Sequence, residues 1–141
     1  MANELTLRVI TPDRIVLDTT ASSVKIPAVD GSMGILKGHA HMVVALDVGL
    51  MTYRTDGNEQ VLFLSGGFVE VRDNTVRVVS EAGERPDDID EERARAAEER
   101  ARKRIEEGRG RHTQVDILRA ELSLRRAQAR LRAGGYSRSL V

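Results

Sequence analysis

The hydrophobic period of this chain changes once, at Pro86 in "ERPDDID", and that change divides what the two halves can fold into. Upstream, apolar and polar residues alternate. In "LTLRVIT", Leu5, Leu7 and Val9 fall on one side and Thr6 and Arg8 on the other, the pattern of a half-buried strand. "SSVKIPA", "VVALDVGLMTYR", "QVLFLS", "FVEVR" and "TVRVVSEA" follow, separated by Gly, Asp and Asn turns. Asp56-Gly57 and Asp73-Asn74 supply residues that tolerate positive φ, as tight hairpins require. Gly31, Gly34 and Gly38 in "DGSMGILKGHAH" point to bends or close backbone approach. Many short strands at close spacing predict a sandwich or barrel over residues 1–86.

Downstream, residues 87–141 read with helical period. Pro86 stops the extended run, Asp87 or Asp88 is placed to cap, and Asp90, Glu91 and Glu92 put negative charge where a helix start favours it. Arg102, Lys103 and Arg104 complement the other end. Gly108 and Gly110 break the helix, and Thr113 with Asp116 resembles a capping box for a second one, giving a two-helix hairpin. The second helix carries Ile117, Ala120, Leu124, Ala127 and Leu131 at three-four spacing, flanked by Val115, Leu118 and Leu122, whereas the first offers mainly Ala94, Ala97, Ala101 and Ile105. Alanines allow close approach but bury little, since a buried methylene is worth only about 0.8 kcal/mol. The expectation is a hairpin of marginal stability, able to open or dock elsewhere; the competing reading is that the spare apolar face simply covers the β domain.

Composition removes several functions. The absence of cysteine excludes disulfides, thiol catalysis and thiolate metal sites. "MANELTLRVI" lacks a basic leader, and no run of about 18 apolar residues exists to span a membrane. Aromatics make up 3%, too few for base-stacking platforms. There is no Walker loop, dinucleotide fingerprint, nucleophile elbow or metalloprotease helix, and no carboxylate pair sits in an apolar setting, so the sequence argues against an enzyme. His39 and His41 in "GHAH" share one side of a strand, but without carboxylate or thiolate companions they read better as structural than as metal ligands.

The zero net charge hides an asymmetry. Residues 1–86 hold 8 Lys and Arg against 11 Asp and Glu, and residues 87–141 hold the other 14 against 11. From Ile117 onward six arginines face one acid, Glu121, so this arm prefers an acidic partner. Arg93 and Arg100 fall on one face of the first helix, and Arg126 and Arg130 on one face of the second. Folding the helices together would bring four guanidinium groups, suited to phosphate oxygens, to one cleft, with Asp90 placed to accept from an amino group such as that of adenine. The opposing reading is a set of Glu-Arg pairs on solvated faces.

"GSMGILKGHAHMVVAL", "FLSGGFVEVRDNTVRVVSEAGER" and "DIDEERARAAEERARKR", in that order, resemble the epsilon subunit of bacterial F-type ATP synthase, and the resemblance runs from "LRVITPD" to "RAELSLRRAQARL". It implies an antiparallel β-sandwich of about ten strands followed by a helical hairpin. It further implies a noncatalytic central-stalk subunit, peripheral to the cytoplasmic face of the bacterial plasma membrane, whose sandwich contacts the gamma subunit and the c-ring. The family's hairpin lies folded on the sandwich or extends along gamma into the catalytic head, where it inhibits ATP hydrolysis and meets an acidic segment of the beta subunit. Some members bind ATP as a regulatory ligand through a motif written I/L-D-x-x-R-A. Here that is Ile89, Asp90, Glu91, Glu92, Arg93 and Ala94, joined by Glu84, Arg100, Arg126 and Arg130; no cofactor or metal is required. Ser32, Met33 and His39 are the matching c-ring contacts. Ser32 stands where the family has Glu, His41 where it has Pro, and residues 134–141 pass the family's usual end. A basic-helix nucleic-acid module and an ATP-hydrolysing enzyme are the rival readings. The scarcity of aromatics and the acidic first half oppose the first, and the lack of a metal-binding acid pair opposes the second.

Overall fold

A computed structural model describes residues 4–108 and 114–139, apart from the side chains of 114, 115 and 136–139. Among these residues the alternating stretches form eight strands: β1 Leu5–Ile10, β2 Ile15–Ala21, β3 Ser23–Ala28, β4 Gly31–Ile35, β5 Met42–Thr55, β6 Asn58–Arg72, β7 Thr75–Val79 and β8 Gly83–Glu84. β5 and β6 pair antiparallel along almost their whole lengths in one register, and the pairing breaks only at Asp47 opposite Gly66, with the register the same on either side. Gly66 and Gly67 take positive φ at this break, and a Cβ on Gly67 would run into the Val79 carbonyl oxygen, so glycine alone passes.

Each long strand therefore serves both layers. The first half of β5 and the second half of β6 join β7, β1 and β2; the second half of β5 and the first half of β6 join β3, β4 and β8. Counting each half separately recovers the ten expected strand segments. The sheet is not wholly antiparallel: β1 runs parallel to β7, which the long intervening chain makes possible. Inward residues of both layers, among them Leu7, Val9, Ile26, Ile35, Met51, Leu62, Leu64, Val69 and Val78, form one core. Asp56, Asp73 and Asn74 do adopt positive φ in their hairpin turns. Burial pushes the Tyr53 hydroxyl above its ordinary range, opposed by the Arg85 guanidinium, which also donates to the Val16 carbonyl at 3.1 Å.

The chain divides into two compact units, Met1–Arg85 and Pro86–Val141. The second begins with a 3-10 turn, Pro86–Asp88, closed by Ile89 N donating to the Pro86 carbonyl at 3.3 Å. α1 spans Glu91–Gly108 and α2 spans Gln114–Ser139. The cap of α1 is Asp90, whose Oδ1 accepts from Arg93 N at 3.1 Å, rather than Asp87 or Asp88, which the 3-10 turn absorbs. Arg102 to Arg104 do not reach the end of α1 either. Its last turn contains no basic residue and holds Glu106 and Glu107, which the helix dipole disfavours. Thr113, half of the anticipated capping box, lies outside the described residues, while Asp116 falls in the first turn of α2.

Burial picks out a seam of the smallest residues at heptad spacing: Ala94, Ala101 and Gly108 on α1, Ala120, Ala127 and Gly134 on α2. A Cβ on Gly134 would sit 2.6 Å from Glu91 Oε1, which places the end of α2 beside the start of α1 in an antiparallel pair. Ile105, Ile117, Leu124 and Leu131 are only half-buried. Leu118 and Leu122, expected to widen the packed face, are 57% and 41% exposed. Gly134 and Gly135 continue α2 as helix where glycine costs about 1 kcal/mol against alanine. Since nothing lies within 4 Å of a Cβ at Gly135, Gly135→Ala is expected to stabilise the hairpin by up to about 1 kcal/mol. Thermal unfolding followed by helical circular dichroism checks this, and a lowered midpoint would contradict it.

Candidate functional site

The seam fixes where the arginines point. Arg93 and Arg100 each precede a seam residue of α1, and Arg119 and Arg126 each precede one of α2. In an antiparallel helix pair, positions just before the seam on the two helices project to the same side. Arg104 and Arg130, each three residues after a seam alanine, lean to that side as well, over a floor that includes Ala97 and Ser123. The four arginines singled out by sequence are thus gathered along one side of the hairpin.

Ion pairing separates α1's arginines into two sets. Arg95 bonds Glu91 at 3.4 Å and Arg102 bonds Glu98 at 3.5 Å, both i,i+4 pairs, so the reading of solvated Glu-Arg pairs applies to them. Arg93 and Arg100 form no ion pair among the described residues, although acids surround them in sequence. On α2, Arg126 is half-buried and donates from Nη2 to Ser123 Oγ at 3.1 Å, while Arg130 is half-buried and also engaged. Arg93 and Arg100, cations without an ion pair among the described residues, are groups of the kind that bind an anion.

Other members of the predicted set have structural duties. Asp90 spends one carboxylate oxygen on the cap. Ala94 is buried in the seam, and Ile89 is buried at the start of the unit. Glu84 belongs to the sandwich unit, in β8 opposite Phe63, and stands in the set by the resemblance alone.

Ser32, Met33 and His39 occupy β4 and the loop after it. Ser32 is exposed opposite Pro27, Met33 packs against the core, and His39 Nδ1 lies 2.8 Å from the Ala40 carbonyl. The loop is pinned to the β6-β7 turn. Gly38 N donates to Asn74 Oδ1 at 2.7 Å, and His41 Nε2 accepts from Asp73 N at 3.2 Å with the Asp73 carboxylate equally near. These local bonds account for both histidines, and no cluster of three or more potential metal ligands occurs among the described residues.

Sequence reasoning missed one feature of the sandwich. Pairing aligns Ala45, Phe68, Val79, Ile10 and Ile15 into a row across five strands. Phe68 is 46% exposed and Ile15 59%, with Val43 beside the row at 69%. A groove of about 330 Å³ opens at its centre, where Ile10, Pro12, Phe68 and Val79 share the lining with Thr11, Ser80 and Glu81. A continuous apolar strip on a solvated sheet face marks a docking surface. The signal available in sequence was apolar residues at outward positions of the alternation, but only the strand order shows them to be neighbours.

A family model described as the ATP synthase delta/epsilon chain beta-sandwich domain matches residues 4–86, and one described as the delta/epsilon chain long alpha-helix domain matches residues 87–135. The ATP synthase epsilon chain of Symbiobacterium thermophilum is 47% identical over 133 residues, covering 94% of each chain. That of Halalkalibacterium halodurans is 43% identical over 131 residues, covering 93% of this chain and 97% of its own. Among solved structures, a chain of the Euglena gracilis mitochondrial ATP synthase superposes with TM-score 0.77 at 22% identity over 98% of this chain and 82% of its own, a likeness of fold.

Two substitutions separate the cap made by Asp90 from its carboxylate charge. Asp90→Ala is expected to cost the ligand-free hairpin about 1 kcal/mol, and Asp90→Asn to restore most of it, because asparagine caps as well as aspartate. Equal helix loss in both variants, seen by circular dichroism, would show that the carboxylate charge and not the cap matters.

Proposed function

The chain belongs to the ATP synthase delta/epsilon chain family as an epsilon chain of the central stalk, and from that membership we propose a noncatalytic coupling and inhibitory role in a proton-translocating F-type enzyme. The sandwich docks on the gamma subunit through the apolar row that includes Phe68 and Ile15, and its β4 region, with Ser32, Met33 and His39, meets the c-ring. The complex is held at the cytoplasmic face of the bacterial plasma membrane. This chain is peripheral there, and none of its described helices is long and apolar enough to cross a membrane.

The hairpin is the regulatory element. Extended, its arginine-rich α2 engages an acidic segment of the catalytic beta subunit and stops ATP hydrolysis. Packed, it binds ATP along the side that carries Arg93, Arg100, Arg126 and Arg130. The observation that carries this reading is the pair Arg93 and Arg100, gathered beside Arg126 and Arg130 and without ion pairs among the described residues. Only the packed hairpin brings both helices to the nucleotide, so ATP favours that state by its differential affinity. At a concentration 100 times its dissociation constant, a ligand confined to one state stabilises it by about 2.7 kcal/mol.

Calorimetry of the isolated chain with ATP is expected to give saturable heat. Arg126→Ala should weaken binding about tenfold or more, as loss of a charge-assisted hydrogen bond implies. No heat at millimolar ATP removes the ligand from the proposal. In the assembled synthase, truncation after Asp87 is expected to raise ATP hydrolysis while leaving proton-driven synthesis in place; unchanged hydrolysis would contradict an inhibitory hairpin.

A further inference from the structure

Arginines without an ion pair among the described residues extend beyond Arg93 and Arg100. Towards the turn of the hairpin, a cavity of about 400 Å³ is lined by Arg104 of α1 and by Asp116, Ile117, Arg119, Ala120 and Ser123 of α2. Arg104 and Arg119 reach it from different helices, and neither forms an ion pair among the described residues. Asp116 also lines the cavity and is itself engaged in an interaction. Arg104 also stands one turn after Arg100, equally without an ion pair, and like charges at that spacing repel. The Ser123 hydroxyl accepts from Arg126, which leaves its proton free to point into the cavity. Ile117 and Ala120 provide an apolar wall, and beside such a wall charge-assisted bonds strengthen.

We propose that this cavity is a second anion site, which takes a phosphate-type oxyanion between Arg104 and Arg119 with Ser123 as hydroxyl donor. Two guanidinium groups and a hydroxyl offer more donors than a carboxylate can accept, and they match the several oxygens of phosphate. The anion bridges α1 and α2 at the end where Glu106 and Glu107 oppose the dipole of α1. The site is separate from the four-arginine cleft and does not rest on ATP binding there. Its ligand has two sources, inorganic phosphate or the phosphates of a longer chain.

The test is a titration of the full-length isolated chain followed by amide-resolved NMR, with chloride holding ionic strength constant. Inorganic phosphate and pyrophosphate are each expected to shift the amides of Ala120 and Ser123 saturably in the millimolar range. Arg104→Gln and Arg119→Gln, both at exposed positions, should each weaken the response about tenfold with helical content unchanged. Arg93→Ala should leave it intact, whereas that variant impairs the ATP site, so the two readings fail independently. A linear, chloride-like response overturns the proposal, as does saturable binding that survives both glutamine variants. If ATP alone shifts these amides, the cavity is an extension of the nucleotide cleft and the separate site is overturned as well.

Discussion

The contact on which the helical unit depends is the seam of Ala94, Ala101 and Gly108 against Ala120, Ala127 and Gly134. Small residues let the two backbones come close, and that approach is what gathers arginines from both helices onto one side. The same residues supply little hydrophobic stabilisation, because an alanine methyl buries a fraction of what leucine does. Assembly of the cationic side and ease of its disassembly therefore have one cause. Repulsion among Arg93, Arg100, Arg104 and Arg119 adds to the tendency to separate, and an anion that binds among them reverses its sign.

The sandwich is built on the opposite plan. β5 and β6 cross from one layer to the other at Gly66-Gly67, so the two sheets share covalent strands and a single core of Leu, Ile, Val and Met side chains. Such a unit keeps its outer faces in fixed relation, which suits a docking platform. The row from Ala45 to Ile15 is apolar at positions where a solvated sheet face would carry polar residues. A rigid platform joined to a hairpin packed through small residues fits the proposed division of the chain's work, in which one unit stays docked while the other changes state.

Much of this was legible in the sequence, and the missing part has a common origin. Period two and period 3.6 report on side-chain direction, so they located the strands, the helices and the boundary near Pro86; Asp56, Asp73 and Asn74 announced turns because few residues tolerate their φ. What failed was anything set by partners distant in sequence. The parallel pairing of β1 with β7, the double service of β5 and β6, and the apolar row all depend on strand order. The cap shifted to Asp90 because Pro86 began a 3-10 turn before the helix, and propensity alone does not distinguish three aspartates in "DDID". The arginine pattern was visible, yet sequence did not say which arginines pair with Glu91 and Glu98 and which stay open.

The weakness of the seam also sets what a ligand can accomplish. Moving a two-state element from 1:99 to 99:1 takes a differential affinity of roughly 5.5 kcal/mol. Hydrogen bonds to charged groups contribute about 1.5–3 kcal/mol each, so a few from the arginines to phosphate oxygens reach that range and no more. Leucine in place of the seam alanines would overpack a contact that depends on close approach, at a cost of about 1–3 kcal/mol, and would push the helices apart. Replacing the half-buried Leu124 and Leu131 by polar residues would weaken the packed state as well, leaving a hairpin that no ligand of this strength closes. On the proposed two-state reading, alanine at the seam with half-buried leucines beside it keeps the equilibrium within reach of phosphate chemistry.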